Sequence, residues 1–282
     1  MREAIKDMTT RLSAIYEPGE VAAITELVME YLTGVSKKDR GQVKDVSFNA
    51  EQREKAEKIM TRLLTHEPVQ YVLNESWFCG LKLYVDKNVL IPRPETEELV
   101  EWIIDNCRFP LDQLRILDIG SGSGCIPIAL KRRLRKADVW GCDISVAALD
   151  IARQNATTLG TEVNFIELDF LDRSSWEKLP SFDLIVSNPP YIPKSERLNM
   201  QRNVVVYEPP TALFVPDADP LVFYRAIATF GHEKLNTAGS IYLEIHEDLG
   251  NAVTSLFVTN GYKITLKKDM QGKDRMVKAT HM

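Results

Sequence analysis

The chain has 282 residues, 44% of them hydrophobic, enough to bury one large core beside a smaller second domain. Lys and Arg total 35 against 40 Asp and Glu, a formal charge of −5, so no global basic field draws the chain to nucleic-acid phosphate. Cys79, Cys107, Cys125 and Cys142 lack paired C-x-x-C spacing, Met1-Arg2-Glu3-Ala4 opens on charged helical sequence, and no apolar stretch approaches the ~20 residues of a membrane span; a soluble, cytoplasmic protein without a zinc site or disulfide framework is expected.

Residues 1–70 carry apolar positions at helical spacing, among them Ile24, Leu27, Val28 and Tyr31, then Ile59, Leu63 and Leu64, and predict a small helical domain. Asn49-Ala50-Glu51-Gln52 has the pattern of a helix N-cap with an acidic first turn, and Pro68 is expected to close the helix that follows. The mixed run Lys37-Lys38-Asp39-Arg40 reads as a solvated turn. Residues 71–90 alternate around Gly80 and predict a connecting β-hairpin, with Trp77 and Phe78 as interdomain core.

From residue 91 to 282 strands and helices alternate, which calls for a mostly parallel sheet covered by helices on both faces. Strands are predicted at 114–119, 137–142, 163–168, 182–187 and 240–245, and helices at 94–107, 125–134, 146–159, 221–235 and 249–260. Two last strands, 262–267 and 275–279, flank the turn signal Gln271-Gly272-Lys273-Asp274 and form an antiparallel pair at one edge. The cationic run 131–136 ends a helix, where positive charge complements the dipole.

Chemistry-bearing residues gather at the carboxyl ends of these strands, where open α/β sheets bind ligands. After the first comes Asp118-Ile119-Gly120-Ser121-Gly122-Ser123-Gly124, whose glycines let the backbone turn sharply and a ligand approach it; the G-x-G-x-G spacing departs from the dinucleotide fingerprint and favours another nucleoside ligand. After the second comes Asp143, suited to accept from two ribose hydroxyls, with a helix cap as its plain alternative. After the third come Asp169 and Phe170, a carboxylate and an aromatic face for a base. After the fourth comes Asn188-Pro189-Pro190-Tyr191. The two prolines lack N–H groups and stiffen the loop, and the Asn188 amide offers one acceptor and two donors to a planar substrate N–H₂.

These segments, with Ile91-Pro92-Arg93-Pro94-Glu95-Thr96-Glu97 and Tyr207-Glu208-Pro209, resemble the release-factor glutamine N5-methyltransferases, the PrmC/HemK family, over nearly the whole chain. Asn-Pro-Pro-Tyr is shared with adenine N6 methyltransferases, the alternative reading; the Ile-Pro-Arg-Pro segment moves the expectation toward protein glutamine. Glu244-Ile245-His246 departs from the family's usual Glu-Ile-Gly. The resemblance implies an α/β, class I (Rossmann-like) methyltransferase sheet joined through a β-hairpin to an amino-terminal helical bundle. It implies methyl transfer from S-adenosyl-L-methionine, with S-adenosyl-L-homocysteine as product, to the glutamine of a Gly-Gly-Gln loop in bacterial class-one peptide release factors. Gly120, Ser121, Gly122, Ser123 and Gly124 would then hold the methionine portion, Asp143 the ribose and Phe170 the adenine. Asn188 and Pro189 would accept the amide N–H groups beside Pro190, and Tyr191 would cover the amide. A monomer without a metal, a membrane anchor or a nucleic-acid partner is expected, and the roles of Arg93, Glu95 and Glu208 stay open, an Arg93–Glu95 surface pair being the plain reading of the first two.

Overall fold

The computed structural model describes residues 2–35, 38, 48–110, 112 and 114–282, so the predicted turn at 37–40 lies, apart from Lys38, outside the described residues. Two compact units emerge: Met1–Glu75 with Gln201–Tyr207, and Ser76–Met200 with Glu208–Met282. Among the described residues no helix is long and apolar enough to cross a membrane.

The first unit packs α1 (Arg2–Leu12), α2 (Pro18–Thr33), α3 (Ala50–Leu63) and α4 (Val69–Leu73) around Leu12, Val28, Met29, Met60 and Leu63. Helix α2 starts with proline, whose missing N–H costs nothing in a first turn, and stops at Gly34 in the left-handed region (φ 68°). Its buried stripe runs through Val21, Ile24, Val28 and Leu32, so Leu27 and Tyr31 lie on the flank and stay exposed. Asn49 opens α3 with a reciprocal capping box: its Oδ1 accepts from the Gln52 N–H at 2.8 Å, and Gln52 Oε1 accepts from the Asn49 N–H at 3.0 Å. Pro68 does not close α3, which ends at Leu63; it caps the start of α4, a five-residue helix too short to show a period. Segment 201–207 belongs to this unit, and the Tyr207 hydroxyl donates to the Thr65 carbonyl at 2.9 Å.

In the second unit the hairpin is shorter than expected, β1 (Ser76–Phe78) against β2 (Leu81–Leu83), because Val72 and Leu73 are helical. Phe78 is fully buried in this unit's own core, whereas Trp77, one pleat away, is 55% exposed, which corrects the expectation that both are core. The main sheet runs β10 (Tyr262–Lys268), β11 (Asp274–His281), β9 (Leu235–Glu244), β6 (Phe182–Ser187), β3 (Arg115–Ile119), β4 (Asp138–Asp143), β5 (Asn164–Glu167). All neighbours are parallel except β11, which is antiparallel to both β9 and β10. Two cores are fed from the sheet: Leu117, Ile119 and Ile185 pack on one face and Ile116, Leu184 and Val186 on the other, while an irregularity between Phe182 and Leu184 lets Phe182 join the first. Helix α5 (Pro94–Asn106) covers the second face with Leu99, Val100 and Ile103. Helix α6 (Cys125–Arg133) joins it there through Ile128 and Leu130, α7 (Val146–Thr158) through Ala156, and α10 (Val222–Lys234) covers the first face with Tyr224, Ile227 and Phe230.

Strand order reverses between β3 and β6, the topological switch point at which such sheets open a crevice at their carboxyl ends. Register fixes what meets there. Ile119 pairs with Ser187 on one side and Cys142 on the other, and Ser187 pairs with Leu243, so the glycine turn, Asp143, Asn188 and Glu244 stand at adjacent strand ends.

Candidate active site

The turn after β3 has Gly120, Gly122 and Gly124 at φ 76°, 53° and 78°, a backbone path that side chains with a Cβ rarely adopt. A Cβ on Gly124 would also meet Ala152 and Ile128 at 3.1 Å, whereas at Gly120 and Gly122 nothing stands within 4 Å. Gly124 is therefore needed for packing as well as conformation, while the first two leave backbone open to a ligand. Neighbours hold the turn rigid. The Cys142 carbonyl accepts from the Gly120 and Ser121 N–H groups at 2.8 and 3.0 Å. Asn155, 2% exposed on α7, donates to the Ser123 carbonyl at 2.9 Å and to the Tyr84 carbonyl at 3.0 Å. Nothing local in the sequence marked Asn155, because its partners are 32 and 71 residues away.

Asp143 takes part in the same turn. Its Oδ2 accepts from the Gly122 N–H and its Oδ1 from the Ser145 N–H, both at 2.9 Å, and burial raises its pKa against the pull of those backbone donors. It is not the cap of α7; Ser145 is, its hydroxyl oxygen accepting from the Ala148 N–H. A carboxylate has about four acceptor positions, so beside these backbone donors and the nearby Ile144 N–H acceptor capacity remains for a ligand hydroxyl. Asp118 lies deeper, with no exposure, and neither side-chain oxygen has a donor among the described residues. The nearby Ser121 hydroxyl donates instead to the Asp118 carbonyl at 3.3 Å. Burial pushes the Asp118 carboxyl up to about 7, opposed by the proximity of the Ser121 hydroxyl and reinforced by the Asp143 charge.

Across the switch point Asn188 is half-buried, Pro189 buried, and Pro190 and Tyr191 half-buried. The Asn188 Nδ2 donates to the Thr96 hydroxyl oxygen at 3.2 Å, and the Thr96 hydroxyl donates to Glu244 Oε2 at 2.6 Å. The Tyr191 ring lies 5.7 Å from the His246 ring, tilted by 58°, and burial pushes its phenol well up, so it stays neutral. Arg93 pairs with Glu208, not with Glu95, and Glu208 is only 3% exposed. The pair ties the Ile91–Pro94 segment to the segment after Tyr207, replacing the surface pair expected from sequence.

Phe170 is placed otherwise than expected. At 5% exposure its ring packs against Trp176 at 5.5 Å and Phe230 at 5.2 Å, so it is a core residue without a free face. The exposed apolar side chains beside Asp143 and after β5 are Ile144 and Leu171. In the cationic run, Lys131 and Arg132 donate to the Ala137 and Leu159 carbonyls and Arg133 pairs with Glu101. His246 caps a short 3₁₀ turn by accepting from the Asp248 N–H at 3.3 Å.

Comparison with known proteins matches the PrmC N-terminal domain to residues 3–73 and the Methyltransferase small domain to residues 96–214. A release factor glutamine methyltransferase of Flavobacterium psychrophilum is 40% identical over 270 residues, covering 95% of this chain and 94% of its own. The chain belongs to the release factor glutamine methyltransferase family. A second release factor glutamine methyltransferase, from Bacteroides thetaiotaomicron, is 42% identical over 95% of each chain. A solved methyltransferase of Pyrococcus furiosus, 17% identical, superposes with a TM-score of 0.53 over 79% of this chain and 98% of its own, a likeness of fold. Within the family's two matched regions fall the helical unit and the elements from Thr96 to Phe214 that carry the glycine turn and Asn188.

Proposed function

We propose that the chain transfers a methyl group from S-adenosyl-L-methionine to N5 of the glutamine in the Gly-Gly-Gln motif of bacterial class-one release factors. The observation that carries the reading is Asn188, presented beside a proline pair at the switch point of a family sheet, with its Nδ2 already engaged and its Oδ1 left to accept. S-adenosyl-L-methionine, when bound, supplies a methyl group already activated on a sulfonium. The donor set fits it. Asp118 brings two buried oxygens lacking donors toward an ammonium, Asp143 keeps acceptor capacity for a ribose hydroxyl, and Ile144 and Leu171 give apolar surface to a base.

A primary amide nitrogen is a weak nucleophile because its lone pair is delocalised. Asn188 Oδ1 and the Pro189 carbonyl would accept its N–H hydrogens, orienting it and stabilising the positive charge that grows on it. Pro189 and Pro190 have no N–H to compete for those acceptors. Tyr191, neutral and half-buried, would cover the amide and exclude water. Proton loss then follows transfer, and no side chain has to act as a strong base.

The purified protein incubated with methyl-labelled cofactor and, separately, intact release factor and duplex DNA is expected to label the release factor, and a Gly-Gly-Gln to Gly-Gly-Ala substrate is expected to stay unlabelled. Label on DNA with none on release factor would overturn the reading in favour of an adenine methyltransferase. For the cofactor site, Asp143→Ala removes the ribose acceptor and the anchor of the Gly122 N–H, so calorimetry should show binding of S-adenosyl-L-methionine weakened by about 1.5–3 kcal/mol. Unchanged binding would take Asp143 out of the site.

A further inference from the structure

We propose that Thr96 and Glu244 are positioning residues that fix which end of the Asn188 amide faces the substrate. The inference rests on the methyl-transfer reading above and adds two residues to it. Register sets the three side chains together: Leu243 pairs with Ser187, so Glu244 ends β9 beside Asn188 at the end of β6, and Thr96 reaches both from the first turn of α5. Glu244 is 2% exposed and Thr96 3%, so both side chains are shielded from bulk water.

A hydroxyl has one proton. Thr96 gives its proton to Glu244 Oε2 at 2.6 Å, so toward Asn188 its oxygen can only accept, and it does so from Nδ2 at 3.2 Å. The amide oxygen is thereby turned the other way, to where substrate N–H groups are to be accepted. An Asn side chain can otherwise rotate by half a turn at little steric cost, and the reversed amide would present its own donors to the donors of the substrate. The polarity of the chain Glu244, Thr96, Asn188 therefore decides whether the site is attractive or repulsive to a primary amide.

That polarity depends on Glu244 being a carboxylate. A protonated Glu244 can donate to Thr96, free the Thr96 proton to point at Asn188, and reverse the amide. Burial pushes Glu244 up to about 7, opposed by Thr96 and by the Arg275 and Arg93 charges and reinforced by Glu95. The Tyr191 and Tyr224 phenols also face it, both held neutral by burial, and the Tyr224 hydroxyl donates to the Glu244 carbonyl at 3.1 Å.

The test uses the full chain and intact release factor. Thr96→Val, nearly isosteric but unable to relay a hydrogen bond, should lower kcat by about 10–100-fold, the scale for losing the support of a reacting group, while the KM for release factor and the Kd for S-adenosyl-L-methionine stay close to wild type. Thr96→Ser keeps the hydroxyl and should recover most of the rate. Wild-type kcat should rise with pH on an acid limb near 7, and Glu244→Gln, which cannot ionise, should lose that limb. In nitrogen-15 spectra the Asn188 side-chain N–H₂ should show one proton protected from exchange in wild type and Thr96→Ser but none in Thr96→Val, a readout that needs no turnover. Wild-type kcat and protected amide in Thr96→Val would overturn the proposal, as would a Thr96→Ser variant as slow as Thr96→Val. A wild-type protein that binds cofactor yet fails to methylate release factor would instead sink the functional reading, with the amide spectra still deciding the positioning role.

Discussion

Replacing Asn188 by Ala is expected to lower methyl transfer by about 10²–10³, the range for removing one preorganised polar group from a site where charge develops. The size follows from where the charge appears. In the ground state the substrate amide is a neutral hydrogen-bond donor satisfied equally well by water. As the methyl is transferred, the nitrogen becomes positive and its N–H groups become strong donors, so an acceptor already held in place is worth most at that moment. Asn188 is held by its neighbours, Nδ2 on Thr96 at 3.2 Å and the main chain on Pro189, so its oxygen needs no reorganisation. The loss should therefore fall on kcat, with the Kd for S-adenosyl-L-methionine nearly unchanged. Single-turnover rates of wild type and variant at saturating release factor make the measurement. Wild-type turnover in Asn188→Ala would remove the residue from its assigned role.

The sheet was legible in the sequence because β3 and β6 are buried almost throughout, the carboxyl half of β9 is buried as well, and β3, β4 and β6 read as apolar runs closed by Gly120, Asp143 and Asn188. Their ends carry the glycine turn, Asp143 and Asn188, so most of the proposed site is legible in the sequence. The rest depends on distance in sequence. Thr96 and Glu244 are 148 residues apart, Arg93 and Glu208 are 115, and no periodicity announces a partner so remote. Phe170 misled because a strand-end aromatic has two destinations, and Trp176 and Phe230 claimed its ring. Between Tyr191 and Pro220 the short pair β7 (Ile192–Pro193) and β8 (Phe214–Val215), with α8 (Arg202–Tyr207) and α9 (Pro210–Leu213), has elements of two to six residues, below the length at which a pattern can repeat. The same holds for segment 201–207, whose membership of the helical unit rests on packing and not on composition.

Asp118 should make the stability of the ligand-free protein fall as pH rises from about 4 to about 7. Its carboxyl is fully buried and neither oxygen has a donor within hydrogen-bond geometry among the described residues; burial, opposed by the nearby Ser121 hydroxyl and reinforced by the Asp143 charge, moves it from an ordinary 3.8 to about 7. Between those values the folded chain holds a proton that the unfolded chain has released. Stability rises with pH where the unfolded state binds more protons, so here the sign is the reverse: the contribution is fully present below about 4 and is lost as pH climbs through about 7. At about 1.4 kcal/mol for each tenfold change in proton affinity, the loss is on the order of 4 kcal/mol. Asp118→Asn cannot ionise and should lack this slope, while Glu244, also raised to about 7, titrates in both proteins and cancels in the difference. Urea unfolding of wild type and Asp118→Asn at pH 5 and pH 8 should therefore show wild type losing stability relative to the variant at the higher pH. A saturating ligand carrying an ammonium beside Asp118 would favour the charged carboxylate, so S-adenosyl-L-methionine should shrink the difference at pH 8. Parallel pH dependence in the two proteins would mean that Asp118 finds a partner in solution and that its carboxylate is not reserved for the ligand.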